Sequence, residues 1–81
     1  MDYVLSEHAK DMLKERGISE EWVRRTVNSP ELEETGKDNN VHYYKSIPEY
    51  GERMLHVVVN PNVIPKRILT TFFDRRARRG K

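Results

Sequence analysis

The stretch Arg53-Met54-Leu55-His56-Val57-Val58-Val59 predicts a β-strand, because β-branched residues are concentrated in it. Successive side chains of a strand point to opposite faces, so Leu55, Val57 and Val59 form one apolar face. A turn signal lies on each side of this strand, so we expect one further strand before it and one after it along the chain.

The first turn signal lies in Pro48–Glu52. The residues before it, Val41–Ile47, alternate between apolar and polar types, although Lys45 interrupts the apolar face. The second turn begins at Asn60-Pro61-Asn62 and leads into a last strand over Lys66–Phe73. Three successive strands joined by two turns predict an antiparallel meander.

Strict alternation in the last strand predicts two sets of side chains on opposite faces. One set is Ile68, Thr70 and Phe72, and the other is Leu69, Thr71 and Phe73.

The N-terminal half predicts two helices behind a short strand at Tyr3–Leu5. Apolar residues recur at helical spacing over Glu7–Arg16, between a serine cap and the stop residue Gly17. Ser19 caps a second helix, which ends at Ser29-Pro30 because the residue before proline avoids the α region.

The predicted fold is therefore an α+β domain of order β-α-α-β-β-β, with two N-terminal helices packed on one face of an antiparallel sheet. Glu31–Asn40 is either a ragged edge strand or a loop. We expect a single domain over residues 1–74, followed by a basic tail over residues 75–81.

Composition excludes several classes of protein. The chain has 81 residues, a mean hydropathy of −0.88 and no cysteine, so disulfides, thiolate metal sites and cysteine nucleophiles are excluded. No apolar run approaches the roughly 20 residues of a membrane-spanning helix, and the N-terminus has no signal-peptide pattern. We expect a cytoplasmic location, no membrane partner and no cofactor. The three histidines match no zinc-ligand spacing, so no metal site is predicted.

Charge is distributed unevenly along the chain. Residues 1–52 contain 7 Lys/Arg and 12 Asp/Glu, whereas residues 53–81 contain 8 Lys/Arg and the single acid Asp74. The net charges of −5 and +7 favour a polyanion or an acidic protein as the partner of the second half. The alternative is that the two halves neutralise each other across the fold.

The first helix carries two candidates for chemistry. His8 lies in its first turn, where a neutral imidazole can act as a general base or can simply anchor the helix start through a hydrogen bond. Arg16 lies at the other end, where a guanidinium can clamp a phosphate or can only complement the helix dipole.

A second group of candidates falls on the two middle strands, namely His42, Tyr44, Lys45, Arg53 and His56. If these strands pair about the Pro48–Glu52 turn, some of the side chains project together. Imidazole, phenol and cationic groups suit RNA cleavage by 2′-OH attack, which needs a base, an acid and positive charge. The alternative is an ordinary solvated sheet face.

Asp74 and the basic run after it form the third group. Asp74 can position an arginine or act as a base, or it can only pair with the neighbouring Arg75 and Arg76. Residues 75–81 are either a solubilising tail or a segment that binds phosphates or an acidic protein.

Several of these segments together resemble a bacterial family of small domains of unknown function, over Ser6 to Arg76. They are Ser6-Glu7-His8-Ala9, Arg16-Gly17-Ile18-Ser19-Glu20-Glu21, Asn28-Ser29-Pro30-Glu31, Tyr43-Tyr44, Leu55-His56-Val57-Val58-Val59 and Thr70-Thr71-Phe72-Phe73-Asp74-Arg75-Arg76. That family is similar to the RelE/ParE-like toxins of toxin–antitoxin modules, and especially to BrnT-like toxins. The resemblance implies a compact α+β fold and, in some members, metal-independent cleavage of mRNA, whereas other relatives poison gyrase.

The resemblance carries over to His8, Arg16, Asp74 and Arg75, but Met12 stands where the family usually has an arginine in the first helix. With His56 added from the middle strands, the predicted catalytic residues are His8, Arg16, His56, Asp74 and Arg75. The predicted nucleic-acid-binding residues are Lys45, Arg53, Lys66, Arg67, Arg76, Arg78 and Arg79.

Two hypotheses of function follow from these residues. The first is a toxin-like, metal-independent endoribonuclease or RNA-binding domain, with RNA and a small antitoxin-like protein as partners. The alternative is a non-catalytic small interaction protein whose pattern residues serve folding.

Overall fold

A computed structural model describes residues 2–75 as two helices and five strands, which confirms the α+β class. The strands are β1 (Tyr3–Leu5), β2 (Leu32–Thr35), β3 (Val41–Ile47), β4 (Arg53–Asn60) and β5 (Lys66–Phe73). The helices are α1 (Glu7–Arg16) and α2 (Glu20–Asn28), and a short 3₁₀ turn covers Pro48–Tyr50. Neither α1 nor α2 is long and apolar enough to span a bilayer.

The helix ends are set by the serines and the glycine that the sequence singles out. The Ser6 hydroxyl accepts a hydrogen bond from the Ala9 amide at 3.0 Å, and the Ser19 hydroxyl accepts one from the Glu21 amide at 3.1 Å. Gly17 ends α1 with φ of 62°, in the left-handed region that glycine adopts without a steric penalty.

The sheet has the order β1-β5-β4-β3-β2 and is mixed rather than antiparallel. The prediction of a purely antiparallel sheet is wrong at β1, which pairs with β5 in parallel. Only strands joined by a tight turn are forced to be antiparallel, and both helices and three strands separate β1 from β5. The stretch after α2, which the sequence left as an edge strand or a loop, forms β2 and pairs with β3 as the sheet edge.

A bulge in β5 overturns the predicted alternation of that strand. Thr70 pairs with Val58, but the next residue of β4, Val59, pairs with Ile68, so Leu69 is an extra residue. Because of this extra residue, the β5 side chains before Leu69 point to the sheet face opposite to the one that strict alternation predicts. Ile68 therefore lies in the core on the side of Thr71 and Phe73, not on the side of Thr70.

Both helices pack on one face of the sheet and enclose the core. Its fully buried residues include Ala9 of α1 and Val23 of α2, which pack with Ile47, Leu55 and Val57 of the middle strands. Within residues 2–75, the opposite face carries no helix, and we refer to it as the open face. The paired residues Tyr44 and His56 lie on it, because paired residues share a face and both alternate with core residues.

We predict that Thr71→Val raises the free energy of unfolding by about 1 kcal/mol. Thr71 is fully buried on the helix side of β5, and its hydroxyl has no hydrogen-bond partner within residues 2–75. Valine has the same shape without the unsatisfied hydroxyl. Urea denaturation measures the change, with Thr70→Val on the open face as the matched control. A lower midpoint for Thr71→Val would show that the hydroxyl is satisfied in solution.

Candidate functional site

The register of the central hairpin brings three ring side chains together on the open face. Tyr44 of β3 lies directly opposite His56 of β4, and His42 lies two residues before Tyr44 on the same face. The Tyr44 and His56 ring centroids are 4.3 Å apart, and the Phe72 ring of β5 lies 4.7 Å from His56 on the other side. His56 is therefore enclosed between two aromatic rings and is only 7% exposed.

Two carboxylates and two imidazoles form a continuous line across this face. His56 Nδ1 lies 3.1 Å from Asp74 Oδ2, and His56 Nε2 lies 2.8 Å from His42 Nδ1. At the outer end, His42 Nε2 lies 3.5 Å from Asp38 Oδ1. We refer to Asp38, His42, His56 and Asp74 as the histidine cluster.

Backbone hydrogen bonds position the two ends of the histidine cluster. The Asp74 amide donates to the Met54 carbonyl at 2.9 Å, which extends the β4–β5 pairing by one residue and holds the carboxylate beside His56. Asp38 lies in the β2–β3 turn, where its side chain accepts bonds from the Asn40 amide and side chain. The same turn approaches the site closely, because a Cβ at Gly36 would lie 2.8 Å from His42 Nε2.

A tyrosine and a glutamate border the histidine cluster. The Tyr44 hydroxyl donates to Glu34 Oε1 at 3.3 Å. Burial raises the pKa of Tyr44, and the negative charge of Glu34 raises it further. Tyr44 therefore remains a neutral phenol at neutral pH and acts as a hydrogen-bond donor.

His56 is held neutral by its surroundings. Burial lowers the pKa of His56, and the opposing effect of the Asp74 carboxylate does not outweigh it. A carboxylate can only accept, so the hydrogen bond to Asp74 requires the proton of His56 on Nδ1. His56 Nε2 is then an acceptor, and His42 Nδ1–H donates to it.

We predict that the melting temperature falls as the pH is lowered from about 7.5 to about 5.5. The folded-state pKa of His56 lies below its ordinary value of 6.5, so below pH 6.5 the unfolded chain binds a proton that the folded chain binds less well. The stabilising contribution of neutral His56 is complete above pH 6.5 and is lost as the pH falls toward the lowered value. His56→Gln removes this titration, so its melting temperature should fall less over the same range. An equal fall of the melting temperature in both proteins would contradict the assignment of this pH dependence to His56.

The structure brings together only part of the predicted catalytic set. His56 and Asp74 are in contact, and Arg75 follows Asp74 directly with its side chain exposed. His8 and Arg16 are exposed on α1, which packs on the helix side of the sheet. They are therefore separated from the histidine cluster by the sheet itself.

The four predicted nucleic-acid-binding residues that the structure describes do not form one surface. Lys45 and Arg53 lie on the helix side, where Lys45 Nζ donates to the Ser29 carbonyl at 2.8 Å and the Arg53 guanidinium lies 5.8 Å from the Tyr50 ring. Lys66 pairs with Tyr3 at the start of β5, and the exposed Arg67 pairs with Asn60 and Val4 on the open-face side. The remaining three, Arg76, Arg78 and Arg79, lie outside the described residues.

The predicted catalytic set omits His42, Tyr44, Glu34 and Asp38. For His42 and Tyr44 the signal is the hairpin register, because a turn over Pro48–Glu52 places Tyr44 opposite His56. Asp38 and Glu34 reach the site from the β2–β3 hairpin, which the sequence left open. Across residues 2–75, no three His, Asp or Glu side chains are arranged to hold a metal ion.

Comparison with known proteins supplies one match. The family model described as "Domain of unknown function (DUF4258)" matches residues 5–73, which include every strand and helix from the end of β1 to the end of β5. Comparison with curated proteins and with solved structures gives no match. Since this family model covers most of the chain, the protein belongs to the DUF4258 family.

Proposed function

We propose that this protein is a toxin-like endoribonuclease that cleaves RNA at the histidine cluster without a metal ion. The observation that carries the proposal is the line from Asp74 through His56 to His42, which is an arrangement suited to moving a proton. The resemblance of the sequence to RelE/ParE-like and BrnT-like toxins supports the same reaction. It also implies a small antitoxin-like protein as a partner.

The reaction divides into one bond made and one bond broken. The 2′-oxygen attacks the adjacent phosphorus, and an imidazole of the histidine cluster accepts the 2′-OH proton. The bond from phosphorus to the 5′-oxygen then breaks, and a proton donor returns a proton to the leaving oxygen. The products are a 2′,3′-cyclic phosphate and a 5′-hydroxyl end. Neutral Tyr44 is a candidate for the donor, because its hydroxyl lies at the same site.

Phosphate binding at this site needs cations from outside the histidine cluster. Glu34, Asp38 and Asp74 make the surroundings of the two imidazoles acidic. A phosphodiester would be repelled unless positive charge accompanied it. Arg75 follows the cluster directly, and four of the six residues after it are basic. We propose that this basic run supplies the positive charge for RNA binding.

The product ends test the proposed reaction. A purified oligoribonucleotide incubated with the protein in EDTA should yield fragments ending in a 2′,3′-cyclic phosphate, which mass spectrometry identifies. The matched control is the same oligonucleotide with 2′-deoxyribose at the cleaved position, which should remain intact there. Cleavage of the deoxy control at that position would contradict 2′-OH attack, and no cleavage of either strand would contradict the proposed function.

A non-catalytic interaction protein remains the second candidate. It is favoured by large apolar side chains that are exposed within residues 2–75, among them Leu32 at 51%, Val4 at 41% and the fully exposed Ile64. Leu32 and Val4 lie on the two edge strands of the sheet. An intact oligoribonucleotide in the assay above would favour this candidate over the first.

A further inference from the structure

His56 has no ring nitrogen left for a substrate. Its Nδ1 bonds to Asp74, its Nε2 bonds to His42, and its side chain is 9% exposed. The His42 side chain is 20% exposed, and its Nε2 faces Asp38, which is itself 51% exposed. His42 is therefore the more exposed of the two imidazoles, and its Nε2 is the one ring nitrogen of the pair that bonds to neither the other imidazole nor Asp74.

The direction of each hydrogen bond along the histidine cluster follows from the contact between Asp74 and His56. Asp74 accepts from His56 Nδ1–H, so neutral His56 presents a bare Nε2. The 2.8 Å contact then requires the proton on His42 Nδ1, which leaves His42 Nε2 bare when that ring is neutral. Asp74 thus fixes the tautomer of a ring that it does not touch.

We infer that His42 Nε2 is the proton-exchanging nitrogen of the histidine cluster, and that Asp74 and His56 are positioning residues that hold His42 in the required tautomer. The use of this nitrogen in RNA cleavage rests on the proposed function, whereas the tautomer and the accessibility do not. In the proposed reaction, His42 would accept the 2′-OH proton and become positively charged, while its Nδ1–H continues to donate to His56.

The same geometry disfavours protons on both of the facing ring nitrogens, His42 Nδ1 and His56 Nε2. A proton on His42 Nε2 faces the Asp38 carboxylate. A second proton would have to enter at His56 Nε2, where it would meet the Nδ1–H of His42 at 2.8 Å. Among residues 2–75, the other titratable groups that face His56 are the carboxylates of Asp74 and Glu34 and the neutral phenol of Tyr44. None of them relieves that clash between the two facing N–H groups.

Two measurements on the purified chain test the inference without any RNA. In the ¹⁵N-labelled protein at about pH 8, where free histidine is neutral, NMR should show both His42 and His56 protonated on Nδ1 with Nε2 bare. Diethyl pyrocarbonate should modify His42 at least about tenfold faster than the enclosed His56, because His56 reacts only after local opening. Exposed His8 provides the reference rate. Equal rates for His42 and His56, or His42 protonated on Nε2, would overturn the inference.

A substitution at the far end of the line tests the positioning role. Asp74→Asn should change the His42 nitrogen signals although Asp74 contacts only His56 in the line, whereas Asp11→Asn on α1 should leave them unchanged. Unaltered His42 signals in a folded Asp74→Asn protein would overturn the positioning role. If Asp74→Asn does not fold, the wild-type tautomers still decide the inference. If the tautomers and rates are as expected but wild-type protein leaves RNA intact, the proposed function fails and the assignment of the accessible nitrogen stands.

Discussion

Replacing Asp74 with asparagine should lower kcat for RNA cleavage by about a hundredfold or more, with little change in KM. The Asp74 carboxylate fixes the proton of His56 on Nδ1 and, through that ring, the tautomer of His42. An amide can donate as well as accept, so either tautomer becomes possible and the base is wrongly protonated for much of the time. Initial rates on one oligoribonucleotide measure both constants.

The matched control for this substitution is Asp11→Asn, which makes the same chemical change on the exposed face of α1. We expect its kinetic constants to equal those of the wild type. Thermal melting of both variants shows whether a lower rate comes from loss of the hydrogen-bonded line or from unfolding of the protein. If folded Asp74→Asn cleaves RNA at the wild-type rate, the line of hydrogen bonds has a structural role only.

Removing residues 75–81 should weaken RNA binding at least about tenfold at low salt and make binding much less sensitive to salt. The deletion removes five cations, namely Arg75, Arg76, Arg78, Arg79 and Lys81. Each phosphate contact to a single strand contributes about 0.7 to the slope of log affinity against log salt, so the slope should decrease by up to about 3.5. Fluorescence anisotropy with a labelled oligoribonucleotide across a salt series measures both effects.

A charge control for the deletion is available on the helix side of the sheet. Changing Lys10 and Lys14 of α1 to glutamine removes cations that lie away from the open face. We expect a far smaller change in the slope for that variant. An unchanged affinity and slope after deletion of residues 75–81 would contradict the role of the basic run.

Local signals predicted most of the fold, because caps, turns and alternation act over a few residues. The Ser6 and Ser19 caps and the Gly17 stop lie where the sequence places them. Local signals did not predict the parallel pairing of β1 with β5 or the bulge at Leu69. Both depend on contacts between segments far apart in the chain, which periodicity does not encode.

The candidate site shows the same division. His56 and Asp74 could be named from the sequence, but their contact depends on the backbone bond from Asp74 to Met54 that extends β5. The approach of Asp38 to His42 depends on how tightly the β2–β3 turn closes at Gly36. Neither distance can be obtained from residue types alone. His8 and Arg16 fit a pattern in the sequence, but the sheet lies between them and the histidine cluster.

The most direct test is the single-turnover rate of oligoribonucleotide cleavage in EDTA by the wild type and by His42→Gln, each confirmed as folded by its melting curve. Glutamine retains hydrogen-bonding capacity but cannot accept the 2′-OH proton. We predict that the wild type releases 2′,3′-cyclic phosphate ends and that His42→Gln does so at least about a hundredfold more slowly. Equal cleavage rates for the two folded proteins would contradict the assignment of the reaction to the histidine cluster.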